Sequence, residues 1–263
     1  MRPVIAALCV WVSCAAGGAR ATTVLITGSD RGLGLEFVRQ YAARGDTVIA
    51  TCRHPERAAE LQALAGANKG VVVEKLDVSD DADIKSLAAR HKGRPIDILI
   101  NNAGVLGAHE QQTLGTFSRK GFHEVMDVNS FGPLAVSEAL RENVIASTRK
   151  KIIAITSGAG SITLAGGKAR RPYYYQMSKA ALDMGMRSLG ADLKSQGVVV
   201  ALVAPGGVHT EMNAAFRSDY NSGTSPPAKP AQAIAKVMAV IDRLDQTKAE
   251  QGINLPDGTI IPW

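Results

Sequence analysis

The sequence predicts an α/β domain: one doubly wound parallel sheet of about seven strands with helices on both faces. Three observations carry this. Short β-branched runs alternate with longer stretches of helical periodicity from Thr22 to Ile261. The runs are apolar throughout rather than at alternate positions, which marks strands buried on both faces. A glycine-rich turn separates the first run from the first helical stretch, and open parallel sheets hold ligands beyond such strand ends. At 263 residues, 46% hydrophobic, with no repeat or interdomain linker, the chain suits a single domain over 22–263.

The elements follow in order. Thr22–Thr27 reads as the first strand, and Gly32–Arg44 as a helix with Leu35, Val38, Tyr41 and Ala42 on one face. Thr47–Thr51 is the second strand. Pro55 opens a helix to about Ala65, proline being favourable at a first helical position. Val71–Leu76 is the third strand, and Ser79 caps a helix reaching about Arg90. Ile96–Ile100 is the fourth strand, followed by a helical region from about Arg119 to Asn143. Lys151–Thr156 is the fifth strand, and the next helix runs through Tyr175 to about Ser195. Val198–Val203 is the sixth strand. Pro230 opens a last long helix, and Thr259–Ile261 supplies a seventh, edge strand.

Residues 1–21 stand apart. Arg2, the apolar stretch Val4–Ala16 and the small-x-small Ala19-Arg20-Ala21 read as a secretory signal peptide, too short for a stable membrane span. The competing reading is a start codon placed too early. The net charge of +6 is scattered apart from Arg149-Lys150-Lys151 and Lys168-Ala169-Arg170-Arg171. A solvated basic surface is expected there, not a nucleic-acid interface. Three cysteines, two of them in the first segment, and five histidines without ligand spacing give neither a disulfide framework nor a metal site. The histidines are expected on the surface or in loops.

Two features carry chemistry. Thr27-Gly28-Ser29-Asp30-Arg31-Gly32-Leu33-Gly34 lets backbone N–H groups and a helix N-terminus approach a pyrophosphate. The position where an acidic residue would meet an adenosine ribose reads Thr51-Cys52-Arg53. Arg31 and Arg53 suit a 2′-phosphate, so NADP(H) is favoured over NAD(H). Second, Tyr175 and Lys179 lie one helical turn apart, where a cation beside a phenol favours the phenolate.

Thr27–Gly34, Asn101-Asn102-Ala103-Gly104 and Tyr175 with Lys179 match, in order and spacing, the short-chain dehydrogenase/reductase family, whose fold is of Rossmann type. Arg31–Glu36, Ile49–Arg53 and the ending Asp257–Trp263 resemble its C-factor and sniffer-like carbonyl reductase branch. The resemblance implies an oxidoreductase that moves a hydride between NADP(H) and a carbonyl or alcohol. Tyr175 would be the general acid/base, picked from Tyr173-Tyr174-Tyr175 because it alone stands four before Lys179. Lys179 would hold the ribose and lower the tyrosine's pKa. Ser157 would hydrogen-bond the carbonyl, with Ser161 as its rival. Asn129 would support Lys179 through a water. Gly28, Ser29, Arg31, Gly32, Leu33 and Gly34 would line the cofactor, together with Asp77 and Val78 at the adenine, Asn102, Ala103 and Gly104, and Val208 and Thr210 at the nicotinamide.

The gap from Ser157 to Tyr175 is 18 residues, and its insert, Gly166–Pro172, is basic. Glu211–Lys229 reads as a mobile lid in which Phe216 and Tyr220 cover a substrate or pack on the body. Family habit implies a homodimer or homotetramer. The competing role is a non-catalytic NADP(H) sensor or a C-factor-like intercellular signal. NADPH chemistry points to the cytoplasm, whereas a true signal peptide would export the chain.

Overall fold

The computed structural model describes residues 21–165, 171–220 and 226–263. Residues 1–20, within the expected signal peptide, residues 166–170 of the basic insert and residues 221–225 of the segment expected as a lid lie outside them. Eight strands form one sheet: β1 (Thr23–Thr27), β2 (Thr47–Cys52), β3 (Val71–Lys75), β4 (Ile98–Asn101), β5 (Lys151–Ile155), β6 (Val199–Val203), β7 (Ile253–Asn254) and β8 (Ile260–Ile261). Their spatial order is β3-β2-β1-β4-β5-β6-β7-β8, parallel except for β8, which runs antiparallel to β7. The two-residue β7 is the strand that hydropathy did not announce. The helices are α1 (Gly32–Ala43), α2 (Ala59–Ala67), α3 (Asp81–Arg90), α4 (Arg119–Met126), α5 (Gly132–Ala139), α6 (Arg141–Ile145), α7 (Ile162–Ala165), α8 (Tyr173–Leu193), α9 (Glu211–Tyr220), α10 (Pro230–Arg243) and α11 (Gln246–Ala249).

Strand periodicity explains the two cores. Val24, Ile26, Ile98, Ile100 and Ile153 point to one face and pack with Phe37 and Tyr41 of α1 and Ile234, Val237 and Ile241 of α10. Leu25, Leu99, Ile152 and Ala154 point to the other and pack with Leu87, Val136, Leu182 and Met186. Both faces are therefore buried, and the apolar runs need no alternation.

Local chemistry moves several boundaries. Asp80, not Ser79, caps α3: its side chain accepts from the N–H groups of Ala82 and Asp83, while the Ser79 hydroxyl donates to Asp77. The helix expected from Pro55 is a 3-10 turn (Pro55–Arg57) broken at Ala58 before α2. The region expected from Arg119 to Asn143 is α4, a π-helical turn (Asp127–Phe131), α5 and α6.

Two surface expectations also change. Lys151 is buried, and its ammonium donates to the carbonyls of Ile241 (2.6 Å) and Asp242 (3.1 Å) at the end of α10. His91 is buried against Glu74, with Nε2 2.8 Å from Oε1.

Strand register sets the site. Ile26, Ile100, Ile153 and Ala201 stand level across β1, β4, β5 and β6, so these strands release their carboxyl-end loops along one rim. The sheet order reverses between β1 and β4, which opens a crevice there.

Candidate active site

At that crevice the glycine turn is folded tightly onto the end of β4. The Thr27 hydroxyl accepts from the N–H groups of Asn102 and Ala103, both at 3.0 Å. The Asn102 side-chain amide donates to the carbonyls of Thr27 (2.9 Å) and Gly28 (3.0 Å). Gly28 has φ +67°, and a Cβ there would stand 2.8 Å from Ala103 Cα. A Cβ at Gly34 would stand 1.9 Å from the Gly28 carbonyl oxygen. Only glycine fits either place. Asn102, expected to line the cofactor, thus acts as a clamp that shapes the cradle. Ser29 also turns inward: its hydroxyl donates to Ile26 and its N–H to Thr51, so neither donor faces a ligand.

The outer face of the turn suits an anion. No side chain caps α1 and its first turn carries no acidic residue, so its N–H groups and dipole are free to serve a phosphate. Gly32 has φ +56°, and Leu33 packs onto the core beneath. Arg31 precedes α1 in extended backbone, and Arg53 follows β2. Both are exposed, and among the described residues neither side chain makes an ion pair or hydrogen bond.

Across the crevice, three consecutive residues at the end of β5 each face one residue of α8. The Ile155 carbonyl accepts from Lys179 Nζ at 2.9 Å. The Thr156 hydroxyl donates to Asp183 Oδ1 at 2.6 Å. The Ser157 hydroxyl lies near enough to the Tyr175 phenol to pull its pKa down. Positions 175, 179 and 183 repeat every four residues along one helix face, so three successive turns of α8 are locked to the strand end. Ser161 is excluded from the rival role, because its hydroxyl donates to the Pro262 carbonyl at 2.6 Å. The three tyrosines separate as well. Tyr173 is exposed against Phe117, Tyr174 is buried against Phe122, and Tyr175 faces Ser157.

Asn129 lies in the π-helical turn and is fully buried. Its side chain accepts from the Val105 N–H (2.8 Å) and donates to the Val105 carbonyl (2.8 Å) and the Ser178 hydroxyl (2.9 Å). It holds the loop after β4 against α8 and has no direct bond to Lys179. The two do share a border: a Cβ at Gly104 would lie 3.3 Å from Asn129 Oδ1 and 3.8 Å from Lys179 Nζ.

The charge balance differs from the simple expectation. Burial raises the Tyr175 phenol above its ordinary value; the Ser157 hydroxyl opposes this and the Asp183 charge adds to it. Burial lowers Lys179 to about 8, opposed by Asp183. The Lys179 ammonium sits 5.8 Å from the Tyr175 ring centroid, over the ring rather than at the hydroxyl.

The remaining expected residues border the same crevice. Asp77 accepts from the Ser79 N–H and hydroxyl, and the Val78 carbonyl packs so closely on Gly132 that a Cβ there would be 2.7 Å away. Val208 is buried and bridges to Ala228, whereas Thr210 caps α9 through the Asn213 N–H (3.2 Å). Its methyl would lie 3.8 Å from a Cβ on Gly32, so the chain entering α9 lies against the glycine turn. Phe216 of α9 meets the Tyr175 ring edge-on at 6.2 Å and leans on Tyr220 at 5.7 Å.

Two supports were missed in the sequence. Gln112, fully buried, accepts from the N–H groups of Tyr174 (3.1 Å) and Tyr175 (3.3 Å), satisfying the start of α8 from a distant loop. No local pattern announces it. Asp183 was legible by extending the 175–179 face by one turn.

Known proteins share this arrangement. The family model for short chain dehydrogenase matches residues 22–221. The 1-hydroxy-2-glutathionyl-2-methyl-3-butene dehydrogenase of Rhodococcus sp. (strain AD45) is 32% identical over 92% of this chain and 100% of its own length. The C-signal protein of Myxococcus xanthus is 32% identical over 64% of this chain and 93% of its own. The crystal structure of NADPH-bound carbonyl reductase from chicken fatty liver superposes with TM-score 0.81 at 30% identity, covering 93% of this chain and 100% of that one. With the glycine cradle, the Tyr175–Lys179 face and the sheet order all in place, the chain belongs to the short-chain dehydrogenase family of oxidoreductases.

Proposed function

We propose that the protein is an NADP(H)-dependent carbonyl reductase, reducing an aldehyde or ketone to an alcohol or running the reverse. The observation that carries this is the Ser157–Tyr175 hydroxyl pair, locked to the strand end on the rim that also bears the glycine cradle. The cradle fits a dinucleotide: two glycines admit no Cβ, the α1 N-terminus is uncapped, and the Arg31 and Arg53 side chains have no protein partner among the described residues. Bound there, the nicotinamide supplies the hydride.

The chain's own residues do the rest. The cradle and the α1 N-terminus would take the pyrophosphate, and Arg31 and Arg53 the 2′-phosphate that separates NADP(H) from NAD(H). Lys179 would meet the ribose, with Val208 and Thr210 beside the nicotinamide. Ser157 and Tyr175 point hydroxyls at one spot, where negative charge grows on a carbonyl oxygen as its carbon is reduced. Tyr175, raised by burial, keeps its proton at neutral pH and gives it to that oxygen. Phe216 shields the spot from water. The subunit is expected to pair through α5 and α8, next to which Phe131, Met177 and Met184 are exposed.

The test is NADPH oxidation by the purified protein with a panel of aldehydes and ketones. Wild type turns over, and Tyr175→Phe retains NADPH binding but loses turnover by at least about 10²-fold. Full turnover by the variant would remove Tyr175 from the mechanism. The likeness to the C-signal protein favours the second reading, a sensor or signal: wild type would then bind NADPH and reduce nothing on the panel.

A further inference from the structure

The buried carboxylate one turn beyond Lys179 is unexplained by the proposed chemistry. Asp183 is only 4% exposed. Oδ1 accepts from the Thr156 hydroxyl at 2.6 Å, and Oδ2 has no partner. Oδ2 faces Gly160, where a Cβ would approach to 2.7 Å, so the turn after Ser157 leaves room for it. A buried carboxylate with an unbonded oxygen is costly unless a charge nearby offsets it. The charge that bears on it is Lys179, one turn back on the same helix.

Little else does. The strand end contributes neutral Thr156 and Ser157, and the π-helical turn buried neutral Asn129 and Ser130 with its Asp127 exposed. β6 is wholly apolar. Arg119, Lys120, His123 and Glu124 of α4 and Glu138 of α5 are exposed. Arg187, the next turn along α8, is exposed and lies over the Trp263 ring at 4.8 Å.

We propose that Asp183 is a positioning residue for the Tyr175–Lys179 pair, a carboxylate tied to β5 through Thr156 that fixes which protons the pair holds. The inference rests on the proposed carbonyl chemistry but acts on the protein's own groups. An ionised Asp183 favours a charged Lys179 and disfavours a charged Tyr175, so it keeps a proton on each. Burial, opposed by Thr156 and Lys179, lifts the carboxyl itself to about 6. Below that value Asp183 is neutral and both neighbours lose the bias. A purely structural polar residue would tie β5 to α8 without moving either titration.

The test uses the full-length protein, without cofactor for the titration and with NADPH for the kinetics. Phenolate absorbance is titrated, and the Tyr175→Phe trace is subtracted to isolate Tyr175. Asp183→Asn keeps the shape and a partner for Thr156, and it is expected to lower the Tyr175 titration by about one pH unit. The pH profile of kcat/KM for carbonyl reduction should show an inflection near 6 in wild type that Asp183→Asn lacks. Unchanged titration together with an unchanged profile overturns the proposal. If Asp183→Asn does not fold, Thr156→Val decides: loss of that hydroxyl moves the inflection upward, and an unmoved inflection overturns the proposal. A shifted phenol titration in a protein that reduces no carbonyl supports the role of Asp183 while overturning the reductase reading.

Discussion

Asn102 is the sharpest structural test of the cradle. Its side-chain amide donates to the Thr27 and Gly28 carbonyls at 2.9 and 3.0 Å and so ties the glycine turn to the loop just after β4. Asn102→Ala leaves two acceptors unpaired at about 1–1.5 kcal/mol each, so the expected loss is about 2–3 kcal/mol. For a domain of this size that lowers Tm by about 4–12 °C. Asn102→Asp keeps the shape but removes both donors and sets a negative charge against two carbonyl oxygens. It is expected to be worse than alanine despite being nearly isosteric. The assay is thermal unfolding of the three proteins, with NADPH affinity measured in parallel, because Gly28 belongs to the cradle. Affinity is expected to fall at least about tenfold in the aspartate variant, the equivalent of about 1.4 kcal/mol. An aspartate variant as stable as wild type would refute the clamp.

Three other predictions follow from particular side chains. Arg53→Glu is expected to cut the preference for NADPH over NADH by at least about tenfold, since one charge-assisted hydrogen bond is worth about 1.5–3 kcal/mol; unchanged discrimination in a binding titration would move the 2′-phosphate elsewhere. Ser157→Ala is expected to lower kcat about 10²–10³-fold with little change in NADPH affinity, as loss of one preorganised donor does; an unchanged kcat would remove it from the site. Lys151→Met leaves the Ile241 and Asp242 carbonyls without their donor and is expected to cost about 2–3 kcal/mol in urea unfolding. An unfolding midpoint equal to wild type would return Lys151 to the solvated surface.

Residue pattern carried the fold because burial on both faces leaves a direct trace. Ile98-Leu99-Ile100 must be apolar at every position when neighbours serve opposite cores. β7 left no such trace, since two residues paired at an edge need no hydrophobic run. Helix ends were less legible. Ser79 and Asp80 are both good caps, and which one serves depends on Asp77 already engaging the serine. The π-helical turn at Asn129 is invisible to periodicity because its extra residue is absorbed within one turn.

At the site, residue types and order singled out Tyr175, Lys179 and Ser157, which the fold brings to one rim, whereas side-chain direction was not legible. Ser29 and Asn102 were expected at the cofactor, yet they turn their donors to the backbone. Gln112 is far in sequence from the helix it caps, so only the folded chain brings it there. The phenol's shift also needed coordinates: spacing places Lys179 beside Tyr175 but not over its ring, and spacing says nothing of burial.

In the proposed reaction Tyr175, Ser157 and a bound nicotinamide converge on one carbonyl. Transfer from NADPH labelled with deuterium at the transferable position of the nicotinamide tests it most directly. Deuterium is expected on the carbinol carbon of the product alcohol, with one face of the carbonyl labelled, and no transfer is expected in Tyr175→Phe although NADPH still binds. NADPH bound by wild type with no deuterium reaching any carbonyl would contradict it.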